Sequence, residues 1–139
     1  MTDMDLVRHK LGLLAEYYED LKQLRGLSAA TLTTDKKTRR YAERTLQMAI
    51  EACLDIGNQI IAAKGLREPS SNREVFLILI ENGLLPPEKS ADFQKMAQFH
   101  NLLVHDYARI EPAILARILS DSLDDFLIFL EAVSSLLAK

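Results

Sequence analysis

The sequence predicts an all-α protein, an up-and-down bundle of four main helices plus one short helix, on three observations. Helix formers dominate the composition, and β-branched residues are scattered rather than clustered. Apolar residues recur at three- and four-residue spacing along most of the length. Glycine or proline falls at or soon after the ends of most of those stripes. At 139 residues the chain reads as one helical domain over 1–139, with no internal repeat or low-complexity tract. A domain of this size buries about two-thirds of its unfolded surface.

The first helix is expected from about Asp5 to Arg25, with Leu6, Leu13, Leu14, Tyr17, Leu21 and Leu24 on one stripe and Gly26 as its stop. A polar link follows from Ser28 to Thr34. Thr34 or Asp35 then caps a long second helix running to about Lys64, with Gly65 just past its end. Ser70 or Ser71 opens a third, containing Val75, Phe76, Leu79 and Ile80 and ending at Asn82-Gly83. After Pro86-Pro87 a fourth carries Phe93, Met96 and Ala97 towards His105. Pro112 suits the first turn of a fifth, whose stripe from Ile114 to Leu136 continues almost to Lys139.

The long second helix has two apolar faces. Tyr41, Met48, Cys53 (or Ala52), Ile56, Ile60 and Ala63 form one; Leu46, Ile50, Leu54, Gly57 and Ile61 form the other. Such a helix needs cover on more than one side. In so small a domain a second subunit is the expected cover, giving a homodimer; the alternative is that the other helices of one chain suffice.

Net charge is −3, so nothing global draws the chain to nucleic acid. A local patch exists: Lys36, Lys37, Arg39, Arg40 and Arg44 are candidate RNA contacts, opposed nearby only by Asp35 and Glu43. The single cysteine, Cys53, allows no intrachain disulfide and no cysteine-based zinc site. Its apolar neighbours mark it as a buried hydrophobe. The acidic N-terminus lacks the order of a signal peptide, and the longest apolar run, Val75 to Ile80, is too short to span a bilayer. A cytoplasmic protein with no membrane contact is expected.

The densest chemistry lies in His100-Asn101-Leu102-Leu103-Val104-His105-Asp106-Tyr107, at the end of the fourth helix. Two imidazoles beside a phenol can move protons near pH 7. A metal site is not expected, because on a helix residues five apart point about 140° from one another. There is no Gly-x-Ser-x-Gly elbow and no Gly-rich phosphate loop. RNA cleavage by internal attack needs less. The 2′-OH is already tethered beside the scissile phosphate, so the enzyme must only take a proton, give a proton and stabilise phosphate charge. His105 suits acid or base work, and Asn101 suits a hydrogen bond to phosphate or ribose. The structural alternative is that His105 caps carbonyls at a helix end and Tyr107 packs.

The stretch Phe99 to Tyr107 resembles the signature of the HepT-like branch of the HEPN superfamily, in which Arg-Asn-x-Leu-Val-His-x-Tyr ends a bundle helix. Supporting segments run from Glu43 to Asn58, from Ser71 to Phe76 and from Gly83 to Pro86, in the family's order and over nearly the whole chain. The resemblance implies an all-α dimer acting as a metal-independent ribonuclease toxin. It also implies a nucleotidyltransferase antitoxin as partner, which attaches AMP to the motif tyrosine. On that basis His105 is the motif histidine, Tyr107 the modified tyrosine, and Asn101 the polar residue after the arginine.

The arginine itself is absent: His100 stands in its place. Arginine is always charged and grips phosphate with two parallel N–H bonds, whereas histidine is mostly neutral at pH 7. Two outcomes follow from the substitution. Either His100 is a second acid/base, or cleavage is weakened or lost and the chain is a module that binds a nucleotidyltransferase. Arg44 supplies the missing charge if it faces the same groove, and is otherwise a solvated arginine. AMP on Tyr107 would set a bulky anion at the motif, blocking RNA and repelling its phosphates. No cofactor is expected.

Overall fold

Side-chain caps open three of the helices in the computed structural model, which describes residues 3–106, 108 and 110–139. The helices are α1 (Asp3–Lys22), α2 (Ala29–Thr34), α3 (Lys36–Ala63), α4 (Asn72–Glu81), α5 (Ser90–His105), α6 (Pro112–Asp121) and α7 (Asp124–Leu137), with a 3-10 turn at Pro87–Lys89 before α5. Asp35 caps α3, its carboxylate accepting from the Thr38 amide at 3.1 Å and the Thr38 hydroxyl at 2.7 Å. Ser71 caps α4 by accepting from the Glu74 amide at 3.2 Å. Helix α3 ends at Gly65, whose φ of 64° lets the Leu66 amide reach back to the Ile61 carbonyl at 3.0 Å.

Two expectations are corrected. The polar link from Ser28 to Thr34 contains a helix, α2. Ser28 caps it, Leu32 is fully buried, and the Thr33 and Thr34 hydroxyls donate to the Ala29 and Ala30 carbonyls at 2.7 and 3.1 Å. Bonding one turn back is how threonines are accommodated in a helix. The expected fifth helix is two, α6 and α7, divided at Ser122-Leu123. The Leu115, Leu119, Leu123 stripe runs through the break without losing phase. The division is tertiary: α6 docks on α2, whereas α7 docks on α1 and α3. Ser120, Asp121 and Ser122 are poor helix formers, and Asp124 and Asp125 suit the positive start of a new helix. Among the described residues, four longer helices are therefore joined by three shorter ones.

Helix α3 is the axis of the fold. It packs against α1, α2, α4, α5 and α7, which between them cover both apolar faces read from the sequence. Tyr41 and Ala63, assigned to one of those faces, are exposed. A second subunit is thus not needed to bury α3. The closest approach is at Gly57, where a Cβ would lie 2.5 Å from Cγ1 of Val75 and 3.3 Å from Cδ1 of Leu79 on α4. Next to it, Phe93 of α5 stacks on Phe76 of α4 with ring centres 5.4 Å apart. Phe129 of α7 meets both rings edge-on at 6.3 Å. This trio fixes the helix that ends in the histidine motif. No described helix is long and apolar enough to cross a membrane.

Four surface carboxylates sit below their ordinary pKa range. Asp35 is held down by its Thr38 bonds, Glu74 by the Ser70 amide and then Arg67, Glu81 by Arg67, and Asp124 by Arg25 and then Tyr18. A carboxylate lowered in the folded state contributes stability above its unfolded pKa and loses it as pH falls through the folded one. Asp125, raised by burial, acts in the opposite sense. The thermal midpoint is therefore expected to hold from pH 7 to about 5 and to fall below about pH 4. Calorimetry across that range checks it, and a midpoint rising below pH 4 would contradict it.

Candidate functional site

The last turn of α5 is held from two directions. Behind it, Leu103 packs into the core. Beyond it, Ile110 is buried and its carbonyl accepts from Nη2 of Arg39 on α3 at 3.2 Å, so the segment after the motif is tied back before Pro112 starts α6. His105 is the final helical residue, and the Asp106 amide donates to the Leu102 carbonyl at 2.9 Å to close the helix.

Asn101 and His105 are four residues apart, so they share one face of α5. Both are exposed, and both line a groove of about 710 Å³ between α5 and α6. The groove has an apolar floor, including Leu46 and Ile50 of α3 and Phe99 and Phe126, with Lys95, Gln98 and Arg117 among its polar lining. A smaller polar recess of about 280 Å³ lies against the start of α4, lined by Ser71, Asn72, Arg73 and Gln94. Gln98 and Asn101 line both hollows, which makes them one continuous surface.

His100 faces elsewhere. Its side chain is 12% exposed, and Nε2 lies 3.3 Å from Oε1 of Glu51 on α3. The same carboxylate oxygen accepts from Nε2 of Gln47 at 3.0 Å. Nδ1 of His100 is buried and has no hydrogen-bond partner among the described residues. With Nε2–H donated to a carboxylate, His100 fastens α5 to α3. The two histidines of one chain are not a facing acid–base couple.

The basic cluster divides in the same way. Lys36, Lys37, Arg40 and Arg44 are exposed, whereas Arg39 is half-buried, engaged by the Ile110 carbonyl and by Glu43 at 3.6 Å. Arg39 is a strut for the motif segment, not a free contact for RNA. Arg44 precedes Glu51 by seven residues, which puts it on the same side of α3 about 10 Å further along the axis. Cys53 is fully buried, and burial pushes its thiol well above the ordinary range, which suits an inert core residue. Tyr107 lies outside the described residues.

Two cations of the groove escaped the sequence reading. Arg117 sits within the apolar stripe of α6, between Ile114 and Ile118, and a lone arginine in such a stripe was the signal available. Lys95 lies on the groove face of α5. The carboxylates lining the groove, Asp92 and Asp125, are both taken by Lys89, with Nζ at 2.9 and 2.8 Å. Asp125 and then Asp92 hold the Lys89 ammonium far above its usual pKa. Among the described residues no group of three or more His, Cys, Asp or Glu is placed to hold a metal ion.

The model of the family described as "Ribonuclease HepT-like" matches residues 14–133. The chain is 27% identical over 131 residues to the mRNA nuclease HepT of Shewanella oneidensis, covering 94% of this chain and 98% of that protein. It is 24% identical over 139 residues to the tRNA nuclease HepT of Aphanizomenon flos-aquae, covering 99% and 95%. Its fold superposes on the tri-AMPylated Shewanella oneidensis HEPN toxin, solved in complex with an MNT antitoxin. That match has a TM-score of 0.84 at 27% identity, over 97% of this chain and 99% of the other.

Proposed function

Because the chain belongs to the HepT-like ribonuclease family, we propose that it is the ribonuclease toxin of a two-component pair, inhibited by AMP attachment at Tyr107. The observation that carries this reading is the placing of Asn101 and His105 on one open face of a groove at the end of the motif helix. His105 exchanges the proton: it takes one from the ribose 2′-OH as that oxygen attacks phosphorus, or gives one to the departing 5′-oxygen. Asn101 donates to the phosphate or the ribose. The groove's cations guide the RNA backbone, with Lys36, Lys37, Arg40 and Arg44 as a further basic surface. Nothing in these steps requires a metal.

The enzyme acts as a homodimer in this reading. With α3 covered inside one chain, support for the dimer comes from three exposed apolar residues, Leu102, Val104 and Ile114, at 38%, 40% and 40% exposure. They lie on the motif turn and the facing helix, so a second copy docking there brings two motifs to one cleft. The nuclease relatives and the AMPylated toxin–antitoxin complex support RNA as substrate and a nucleotidyltransferase as partner. A second reading, a binding module without cleavage, is favoured by His100 occupying the motif arginine's place and turning inwards.

One experiment separates them. Purified protein is incubated with tRNA or messenger RNA in EDTA, before and after co-expression with a neighbouring nucleotidyltransferase. Cutting in EDTA that disappears when the protein gains AMP is the expected result, with the added mass absent from Tyr107→Phe. No cutting by the unmodified protein selects the binding module. Full AMP mass on Tyr107→Phe excludes that tyrosine as the sole acceptor.

A further inference from the structure

The groove holds an amide and an imidazole where RNA would lie, but neither supplies a fixed positive charge for the phosphate. His100 supplies none there, since it is turned onto Glu51. Two cations line the groove. Lys95 precedes His105 by ten residues on α5, about 15 Å along the axis, too far to share one phosphate with it. Arg117 enters from the opposite wall, on the face of α6 that also presents Ile114 and Ile118. It is exposed, and no described carboxylate pairs with it. The acids that line the same groove, Asp92 and Asp125, are both engaged by Lys89, whose ammonium sits between them. An arginine with no carboxylate partner among the described residues, lining the same apolar-floored groove as the proton-transfer group, is arranged for an anion.

We infer that Arg117 is the phosphate-binding group of this site, gripping the non-bridging oxygens of the scissile phosphodiester from α6 while His105 handles the proton from α5. The inference rests on the ribonuclease reading above. In the step, the bond from the 2′-oxygen to phosphorus forms and the bond from phosphorus to the 5′-oxygen breaks. The 2′-OH proton leaves to a base, and the 5′-oxygen receives one. Arg117 gives and takes no proton; its fork of N–H donors holds the two oxygens on which charge builds, which a point charge does less well. Being charged at every working pH, it keeps the groove attractive to phosphate when the imidazole is neutral.

The test uses the full chain. Arg117→Ala is expected to lower kcat for a short RNA in EDTA by about a hundredfold or more, and Arg117→Lys to recover part of it. Since the residue is exposed, the thermal midpoint should stay in place. Arg8→Ala, which removes an exposed charge outside the groove, should leave the rate within about twofold. In parallel, binding of the same RNA is measured across salt concentrations for His105→Ala with and without Arg117→Ala. Loss of Arg117 should reduce the slope of log affinity against log salt by about one. Cleavage by Arg117→Ala at the native rate overturns the proposal. If the native protein cuts no RNA, the ribonuclease reading fails. The salt slope then decides Arg117 alone, and an unchanged slope overturns it.

Discussion

His105→Ala is expected to lower the rate of RNA cleavage by about 10²–10⁴-fold, the usual contribution of a positioned general acid or base. That is about 3–5 kcal/mol of transition-state stabilisation. Affinity for RNA should change far less, because the groove's lysine and arginine remain. Stability should hardly move, since His105 is exposed at the end of α5 and the helix is closed by the Asp106 amide. His100→Ala makes the informative contrast. His100 is held inside by Glu51, so its loss should show in the thermal midpoint and affect cleavage only through the placing of α5. The measurement is kcat and KM on one RNA for both variants, beside a thermal melt. A full rate in His105→Ala, or an equal collapse of kcat in a fully stable His100→Ala, would reverse the assignment of the two imidazoles.

Phe93→Ala should cost about 3–5 kcal/mol of folding stability, the range for emptying a fully buried aromatic site. The loss combines transfer of the ring with a cavity that Phe76 and Phe129 cannot fill without leaving their own contacts. Domains of this kind have about 5–15 kcal/mol in total, so the variant should be marginal at 37 °C. Chemical denaturation reads the change as an earlier midpoint with an unaltered slope. A loss under about 1 kcal/mol would mean that the trio is not the anchor of α5. Because the same helix carries Asn101 and His105, residual activity should follow the folded fraction and not fall independently of it.

The long elements were legible because their ends carry local chemistry. Asp35, Ser71, Gly65 and the Asn82-Gly83 pair mark boundaries that the structure places within a residue or two. Helix α2 was not legible, because a threonine-rich stretch reads as loop until the Thr33 and Thr34 hydroxyls are seen bonded one turn back. The α6–α7 break was hidden by a stripe whose phase survives it. The cover of α3 depends on which helices surround it, and no pattern within α3 states that. At the site, the five-residue spacing turned His100 and His105 to different sides of α5, with His100 on Glu51, whereas the shared groove of Asn101 and His105 came from the fold. Arg117 was missed because nothing in the α6 stripe states which helix it faces, and only the fold sets that stripe along the groove beside α5.

The attachment of α6 has an evolutionary meaning. Its main neighbour is α2, six residues long and seated on a single buried leucine, Leu32. One jaw of the cleft therefore rests chiefly on a short helix at the margin of the common core, while the jaw bearing His105 is held by α3 and α4. Substitutions beneath that short helix can reset the gap between the jaws and leave the reacting groups untouched. Descendants of one scaffold can in this way come to prefer RNAs of different shape.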